Sequence, residues 1–487
     1  SNIINEKNFI KKVITLDEID KVISNLTLID KNKYLDYSKI LKNDLLEEDK
    51  VQNNNLKRTS PACIIYTSGT GGNPKGVILS HGGILNNLVG ACEIMKPLFT
   101  SRPIFLTWLP LSHSYEHCVQ FAQVAVGAKV FYAEKIEKLL ENMSESKPTI
   151  MTAVPRFYQN LYNKININLK KQIGLKAKLI DETLRLGRKK LLNQKMTFFE
   201  KLVNLIVDQL VRKKIKKQFG GNLKAFVSGG GALDKEIGEF LNSVGLPTLQ
   251  GYGLTEASPV VSCNPIHKIK VETVGPPFKG NQVKVADDGE ILVKGENVML
   301  GYWNKKEETD KVIIDGWLYT GDIGEIDPED GYLKITDRKK DIIVLSNGKN
   351  IAPRKIESLL LRHPLIAHVC LSGDGKAYAT VVICLRHDGG EIRYAKSHHI
   401  PHASRKKMAT HPRIIQIIQA HVDRVNQNFC RPEQIKYFHL TSDIWSPDTG
   451  ELTPTLKLKR PFVLQKYATH IDSIYADHHP SQHLKKS

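Results

Sequence analysis

Short runs of β-branched and aromatic residues alternate with helix-length amphipathic segments over most of this chain, and no feature restricts its folding more. The runs at 104–109, 129–133, 149–154, 224–228 and 246–250 have the composition of strands, whereas 116–126, 156–165 and 235–244 repeat their apolar residues at the helical period. Strands separated by helices cannot close as tight hairpins. The pattern therefore predicts an α/β protein whose central sheets are mixed to parallel. Segments 290–294 and 331–336 sit among turn residues with no helix between them and read as an antiparallel, barrel-like part. Segment 175–219 is long, basic and helical in pattern, with Leu202, Leu205, Ile206, Leu210 and Ile215 near one stripe. It reads either as helices packed on the core or as a basic amphipathic element resting on an anionic membrane.

The charged cluster Asp337-Arg338-Lys339-Lys340-Asp341 marks a domain boundary. It predicts a large domain over 1–337, a hinge at 338–340 and a small C-terminal α/β lid over 341–487. The lid is expected to hold strands at 342–345, 367–371, 377–385 and 435–440 and a helix at 412–427, with 386–408 as a loop. His398, His399 and His402 lie close together there, but no cysteine or further ligand pattern supports a metal. At 487 residues, 41% apolar and 25% charged, the chain is long enough for two or three globular domains. Seven cysteines without paired spacing suggest reduced thiols and a cytoplasmic setting. The most apolar stretch, 119–133, is broken by Gln120, Gln123 and Lys129 and is no membrane span, and no signal peptide is visible. A net charge of +19 favours anionic partners: ATP, coenzyme A, anionic lipid or nucleic acid. No nucleic-acid-binding module is recognisable, so none is expected, and the oligomeric state is unknown.

Four phrases carry chemistry. Tyr66-Thr67-Ser68-Gly69-Thr70-Gly71-Gly72-Asn73-Pro74-Lys75-Gly76 follows an apolar run and offers backbone N–H groups, hydroxyls and one cation to phosphate oxygens. It is not a Walker loop, because Pro74 precedes the lysine and Gly76 follows it. Gly251-Tyr252-Gly253-Leu254-Thr255-Glu256 places an aromatic ring that can stack on a purine beside a hydroxyl and a carboxylate that can serve a phosphate and its magnesium. Gly316-Trp317-Leu318-Tyr319-Thr320-Gly321-Asp322, with Asp337-Arg338 downstream, supplies a carboxylate and an arginine suited to a ribose. Leu452-Thr453-Pro454-Thr455-Leu456-Lys457-Leu458-Lys459-Arg460 ends the series with a basic run.

In this order the phrases resemble those of the acyl-adenylate-forming (AMP-binding) enzyme superfamily, which includes acyl-CoA synthetases, luciferases and peptide-synthetase adenylation domains. The usual loop there reads T-S-G-T-T-G-x-P-K-G, and Gly71 replaces the second threonine. The resemblance implies that Thr67, Ser68, Gly69, Thr70, Gly72 and Lys75 hold ATP phosphates. It implies that Tyr252 and Gly253 meet adenine, with Gly230 and Gly231 in a glycine-rich wall between adenine and the acyl pocket. Thr255 is then at the α-phosphate, Glu256 at Mg²⁺, and Asp322 and Arg338 at the ribose. His113 and Gly229 line the acyl pocket, Lys340 is the hinge, and Lys457 is the catalytic cation acting with Thr255 and Glu256, with Lys459 as the alternative. Leu456 stands where a glycine is common.

The phrases at 109–117, 152–156 and 295–303 look like bacterial long-chain fatty acid–CoA ligases, and the likeness runs from about residue 60 to 475. It implies a two-step reaction with Mg²⁺, ATP and coenzyme A: fatty carboxylate and ATP give acyl-adenylate and pyrophosphate, then the thiol of coenzyme A displaces AMP. With the basic amphipathic segment 175–219, a substrate that partitions into membranes suggests a peripheral place at the inner membrane surface. The alternatives are a fatty acyl-AMP ligase feeding a carrier protein, or a non-catalytic ATP- or acyl-CoA-binding relative. Members of this branch carry a much longer region ahead of the loop, so the large domain is expected to lack part of its N-terminus.

Overall fold

The computed structural model describes residues 13–15, 34–36, 56–67, 74–99, 101–387, 389–398, 400, 405–453 and 456–477. The chain divides into two compact units, Ser1–Lys57 and Arg58–Ser487. In the first, Val13–Thr15 and Tyr34–Asp36 pair in parallel.

The second unit is built on a six-stranded sheet in the order Val260–Cys263, Thr248–Gly253, Ala225–Ser228, Ile150–Ala153, Ile104–Thr107 and Lys129–Tyr132. All neighbours are parallel except Val260–Cys263, which folds back antiparallel on Thr248–Gly253. Parallel strands need crossovers, and here these are helices on both faces, which is why all four residues of Ile150–Ala153 are buried. Met151, Phe226, Tyr158 and Ile237 fill one face. Their chain neighbours Ile150 and Ala225 point to the other, where Phe105, Met95 and Ala122 pack beneath helices His81–Met95 and Ser114–Ala125.

Beside it, Gln282–Val285, Glu290–Lys294, Trp317–Ile326, Ile313–Ile314 and Leu333–Arg338 form an antiparallel sheet, and Gly301–Tyr302, Lys75–Ser80 and Pro61–Thr67 form a smaller one. The two share a core around Val77, Leu79, Ile291, Val293 and Leu333. The C-terminal part has its own sheet of Ile366–Ser372, Ala379–Leu385 and Ile435–Thr441. Helices Pro353–Leu360 and Pro412–Asn426 cover one face of that sheet, and Trp445, Val463 and Tyr467 cover the other.

Gly251, Tyr252 and Gly253 are the last residues of the strand predicted at 246–250, because the antiparallel edge strand extends the ladder through them. Segment 386–408 is not all loop: Gly390–Ser397 and Arg405–Thr410 are helices, pinned by buried Ala395 and Met408 despite weak periodicity. In the 175–219 segment only Ile215 of the noted stripe packs inward. Leu202, Leu205, Ile206 and Leu210 face solvent, joined by Phe198 at 79% exposed and Phe199 at 73%. Among the described residues no helix is long and apolar enough to cross a membrane.

Candidate active site

The C-terminal ends of the parallel strands carry Gly229, Gly230, Tyr252, Gly253 and Thr255 among the predicted residues, the usual place for a ligand in such a sheet. They border a cavity of about 930 Å³, open mouth included. One end is apolar, lined by Ala91, Met95, Phe105, Ala122 and Phe278; the other bears Gly229, Gly230, Tyr252, Gly253, Thr255 and Lys457.

At the polar end Asp322 gathers two partners. Tyr252 donates its hydroxyl to Oδ2 at 2.8 Å, and Arg338 donates from Nε to Oδ1 at 3.0 Å. Antiparallel pairing of Trp317–Ile326 with Leu333–Arg338 sets Asp322 directly opposite Arg338, so the sheet register itself places the pair. Thr255 and Glu256 sit on a single tight turn after the Thr248–Gly253 strand. The Thr255 hydroxyl lies 3.0 Å from that of Ser114, and Tyr302 donates its hydroxyl to Glu256 Oε1 at 2.9 Å.

His113 caps helix Ser114–Ala125 by accepting from the Tyr115 backbone N–H at Nδ1. The neutral ring therefore carries its proton on Nε2. Burial, reinforced by the nearby Lys457 cation, lowers its pKa to about 4, so it stays neutral at physiological pH. Gly229 is required by packing: a Cβ there would meet the Tyr115 ring at 2.8 Å. Gly231 faces Pro155 and does not line the cavity, unlike Gly229 and Gly230.

Lys457 reaches the cavity from the C-terminal part. Poor hydration inside the protein pushes its ammonium down to about 8, with Arg338 and Arg354 repelling it further and Asp322 and Glu256 opposing. By surface area the residue is exposed, and it lines the cavity. A backbone turn presents it: Thr453 accepts from the Lys457 N–H, and Leu456 adopts a left-handed conformation at φ 61°, which explains the glycine common at that position. Lys459 does not line the cavity; its backbone donates to Glu451.

The phosphate-loop hairpin is only partly described. Ser68, Gly69, Thr70 and Gly72 lie outside the described residues, as do Pro454, Thr455, His399 and His402. Thr67 and Lys75 face each other across the hairpin stem, and Lys75 is ion-paired with Glu308 at 2.6 Å over the Tyr302 ring. Lys340 sits in the tight turn Lys339–Asp341 that leaves the Arg338 strand.

Sequence reasoning missed the supporting side chains Ser114, Tyr302 and Glu308, and it missed Glu116. The Glu116 carboxyl is fully buried, and burial raises it to about 7 although Thr152 donates to Oε2 at 2.9 Å; Oε1 has no partner. Ser114 and Glu116 lie inside the 109–117 phrase, of which the sequence singles out only His113 as a site residue.

A family described as AMP-binding enzyme matches residues 2–303, and its C-terminal domain matches residues 340–479. The chain is 36% identical over 429 residues to the long-chain-fatty-acid–CoA ligase FadD15 of Mycobacterium bovis, covering 86% of this chain and 70% of that protein. It is 33% identical to the peroxisomal long chain acyl-CoA synthetase 6 of Arabidopsis thaliana, covering 85% of this chain but only 61% of that one. Among solved structures, o-succinylbenzoate CoA synthetase of Bacillus subtilis in complex with its acyl-adenylate intermediate superposes with a TM-score of 0.63 at 20% identity, over 93% of this chain and 78% of that one. The adenylation domain of a carboxylate reductase from Mycobacterium chelonae gives 0.64 at 21%, over 86% and 60%. At such identities these two establish the fold alone.

Proposed function

Because the chain belongs to the AMP-binding enzyme family, we propose that it activates a long-chain fatty acid with ATP to an acyl-adenylate and then transfers the acyl group to coenzyme A, releasing AMP. The observation that carries this reading is one cavity lined both by apolar side chains and by His113, Tyr252, Thr255 and Lys457, with the Tyr252 hydroxyl held by Asp322 and Asp322 paired with Arg338. A fatty carboxylate is a weak nucleophile and must attack a polyanion. Catalysis is then alignment and charge cancellation rather than covalent attack by a side chain. Lys457 supplies the cation where the two anions meet. Thr255, steadied by Ser114, offers a hydroxyl to the α-phosphate, and Asp322 and Arg338 grip the ribose beside the Tyr252 ring.

The Glu256 carboxylate suits Mg²⁺. Tyr302 occupies Oε1, which leaves Oε2 as a hard oxygen donor. Bound there, the ion would neutralise phosphate charge. One protein carboxylate completed by nucleotide phosphates is a common way to hold this ion; among the described residues no cluster of three His, Cys, Asp or Glu offers an alternative. Lys340 is the pivot on which the C-terminal part turns between the two half-reactions.

The names of the curated relatives support coenzyme A, rather than a carrier protein, as the acceptor. The outward apolar stripe from Phe198 to Leu210, beside exposed Lys195, Lys201, Lys213, Lys214 and Lys217, supports peripheral contact with an anionic membrane from the cytoplasmic side. The deciding assay is pyrophosphate release with a panel of fatty acids, with and without coenzyme A. Release that depends on fatty acid, with acyl-CoA as product, is expected; ATP-independent acyl-CoA binding without turnover would replace this reading with that of a non-catalytic relative.

A further inference from the structure

Lys457 lies on the C-terminal part, yet it works in a cavity built by the rest of the unit, so something must hold the two in register. The structure offers a continuous chain of contacts. Arg362, just after helix Pro353–Leu360, forks across two carboxylates of the central body: Nε and Nη2 donate to Asp234 Oδ2 at 3.2 and 2.8 Å, and Nη1 donates to Glu236 Oε2 at 2.6 Å. Both carboxylates are already immobilised. Asp234 Oδ1 caps helix Lys235–Ser243 by accepting from the backbone N–H groups of Glu236 and Ile237, and Glu236 Oε1 accepts the Tyr162 hydroxyl at 3.0 Å.

On the other side of Arg362 the same helix, Pro353–Leu360, carries Glu357, a buried carboxylate. Glu357 Oε2 accepts from Arg460 Nη2 at 2.9 Å, and its Oε1 accepts from the Leu371 backbone N–H at 2.7 Å. Arg460 lies three residues from Lys457 and also donates to the Leu371 carbonyl. The line runs from Asp234 and Glu236 through Arg362, helix Pro353–Leu360, Glu357 and Arg460, and then along the backbone to Lys457.

We propose that Arg362 is a positioning residue for adenylation: its two-carboxylate clamp seats Lys457 in the cavity, and the clamp opens when the C-terminal part turns for thioester formation. The inference rests on the proposed two-step function. A planar fork that donates three hydrogen bonds to two carboxylates is a geometry that lysine cannot reproduce. The clamp is also partly solvent-exposed, Arg362 at 30% and Glu236 at 42%, which suits a contact that must open in each cycle rather than a permanent bolt.

The test separates the half-reactions. Arg362→Ala should slow fatty-acid-dependent pyrophosphate release by about tenfold while acyl-CoA formation from supplied acyl-adenylate is undiminished. The double variant Asp234→Asn, Glu236→Gln keeps the helix cap acceptor, removes both charges and should show the same split; Arg362→Lys should not restore the parent rate. A readout free of turnover accompanies these: the rate at which an amine-reactive ester labels Lys457 at neutral pH, followed by peptide mass, should fall about tenfold in both variants, because a lysine that spends less time seated regains its ordinary basicity and presents less of the reactive neutral amine. Equal loss in both half-reactions, or unchanged labelling of Lys457 in variants that melt like the parent, would overturn the proposal. Absence of pyrophosphate release in the parent with every fatty acid would instead count against the function, and the labelling experiment would still decide the clamp.

Discussion

The protonation of Lys457 offers the sharpest test of the site. The ammonium, not the amine, cancels phosphate charge, and its pKa in the free enzyme is lowered from the ordinary lysine value to about 8 by burial and by Arg338 and Arg354. With that midpoint about nine-tenths of the free enzyme is active at pH 7 and about one-tenth at pH 9, so kcat/KM for the adenylation half-reaction should fall about tenfold across that interval. Bound ATP adds negative charge beside the ammonium and raises its pKa, so kcat should begin its decline at a higher pH than kcat/KM. His113, neutral above about 4, adds no limb in this range. Initial-rate pyrophosphate assays from pH 6 to 10 measure both profiles. Lys457→Arg is the control: a guanidinium stays charged throughout, so the variant should be slower but lose the alkaline limb. A parent profile flat through pH 9, or an arginine variant with the same limb, would refute the assignment.

Glu116 makes a second pH prediction. Its folded pKa of about 7 lies above the unfolded value of 4.5, so the protonated form stabilises the fold at low pH and that contribution is lost as pH rises through 7. The loss is at most about 3 kcal/mol, and Glu116→Gln should flatten the dependence of denaturation midpoint on pH between 5 and 8. Leu456→Gly should stabilise the protein by about 0.5–1 kcal/mol in denaturant titration, since it relieves a left-handed backbone at a side chain 41% exposed; a loss of stability would show the leucine packs usefully. Lys340→Pro should spare acyl-adenylate formation and depress acyl-CoA formation from it, because proline fixes φ near −65° at the proposed pivot; parent-like acyl-CoA synthesis in a folded variant would place the pivot elsewhere. Phe198→Glu with Leu205→Glu should abolish flotation with anionic liposomes at low salt, an attraction of about 1 kcal/mol per nearby lysine; equal flotation of parent and variant would exclude this face.

The strand–helix alternation was legible because strands such as Ile150–Ala153 are buried on both faces and read as short runs rich in apolar residues. The same is true of Ala379–Leu385 in the C-terminal sheet. The site phrases were legible because their residues lie at strand ends and turns, where composition is constrained by backbone shape. What stayed hidden were contacts between phrases far apart in sequence. Nothing local announces that Ser114 steadies Thr255, that Tyr302 holds Glu256, or that Arg362 reaches Asp234, since each pair is joined only by tertiary packing. The sequence left the stripe within 175–219 open between core packing and a membrane-facing surface for a related reason: periodicity reports an apolar face but not what covers it.

The Lys75–Glu308 pair has a consequence for which ligands this hairpin accepts. The lysine is not waiting for an anion; it already holds one of the protein's own, a carboxylate that Lys311 also grips at 3.0 Å. An incoming ligand must outbid that internal stand-in. A single carboxylate, such as a fatty acid arriving alone, brings no more charge than Glu308 and gains nothing by exchange, whereas a triphosphate does. If the hairpin binds ATP as proposed, this pair would favour a polyphosphate over singly charged visitors. Removing the stand-in with Glu308→Gln would ease entry for every anion at once, trading discrimination for affinity.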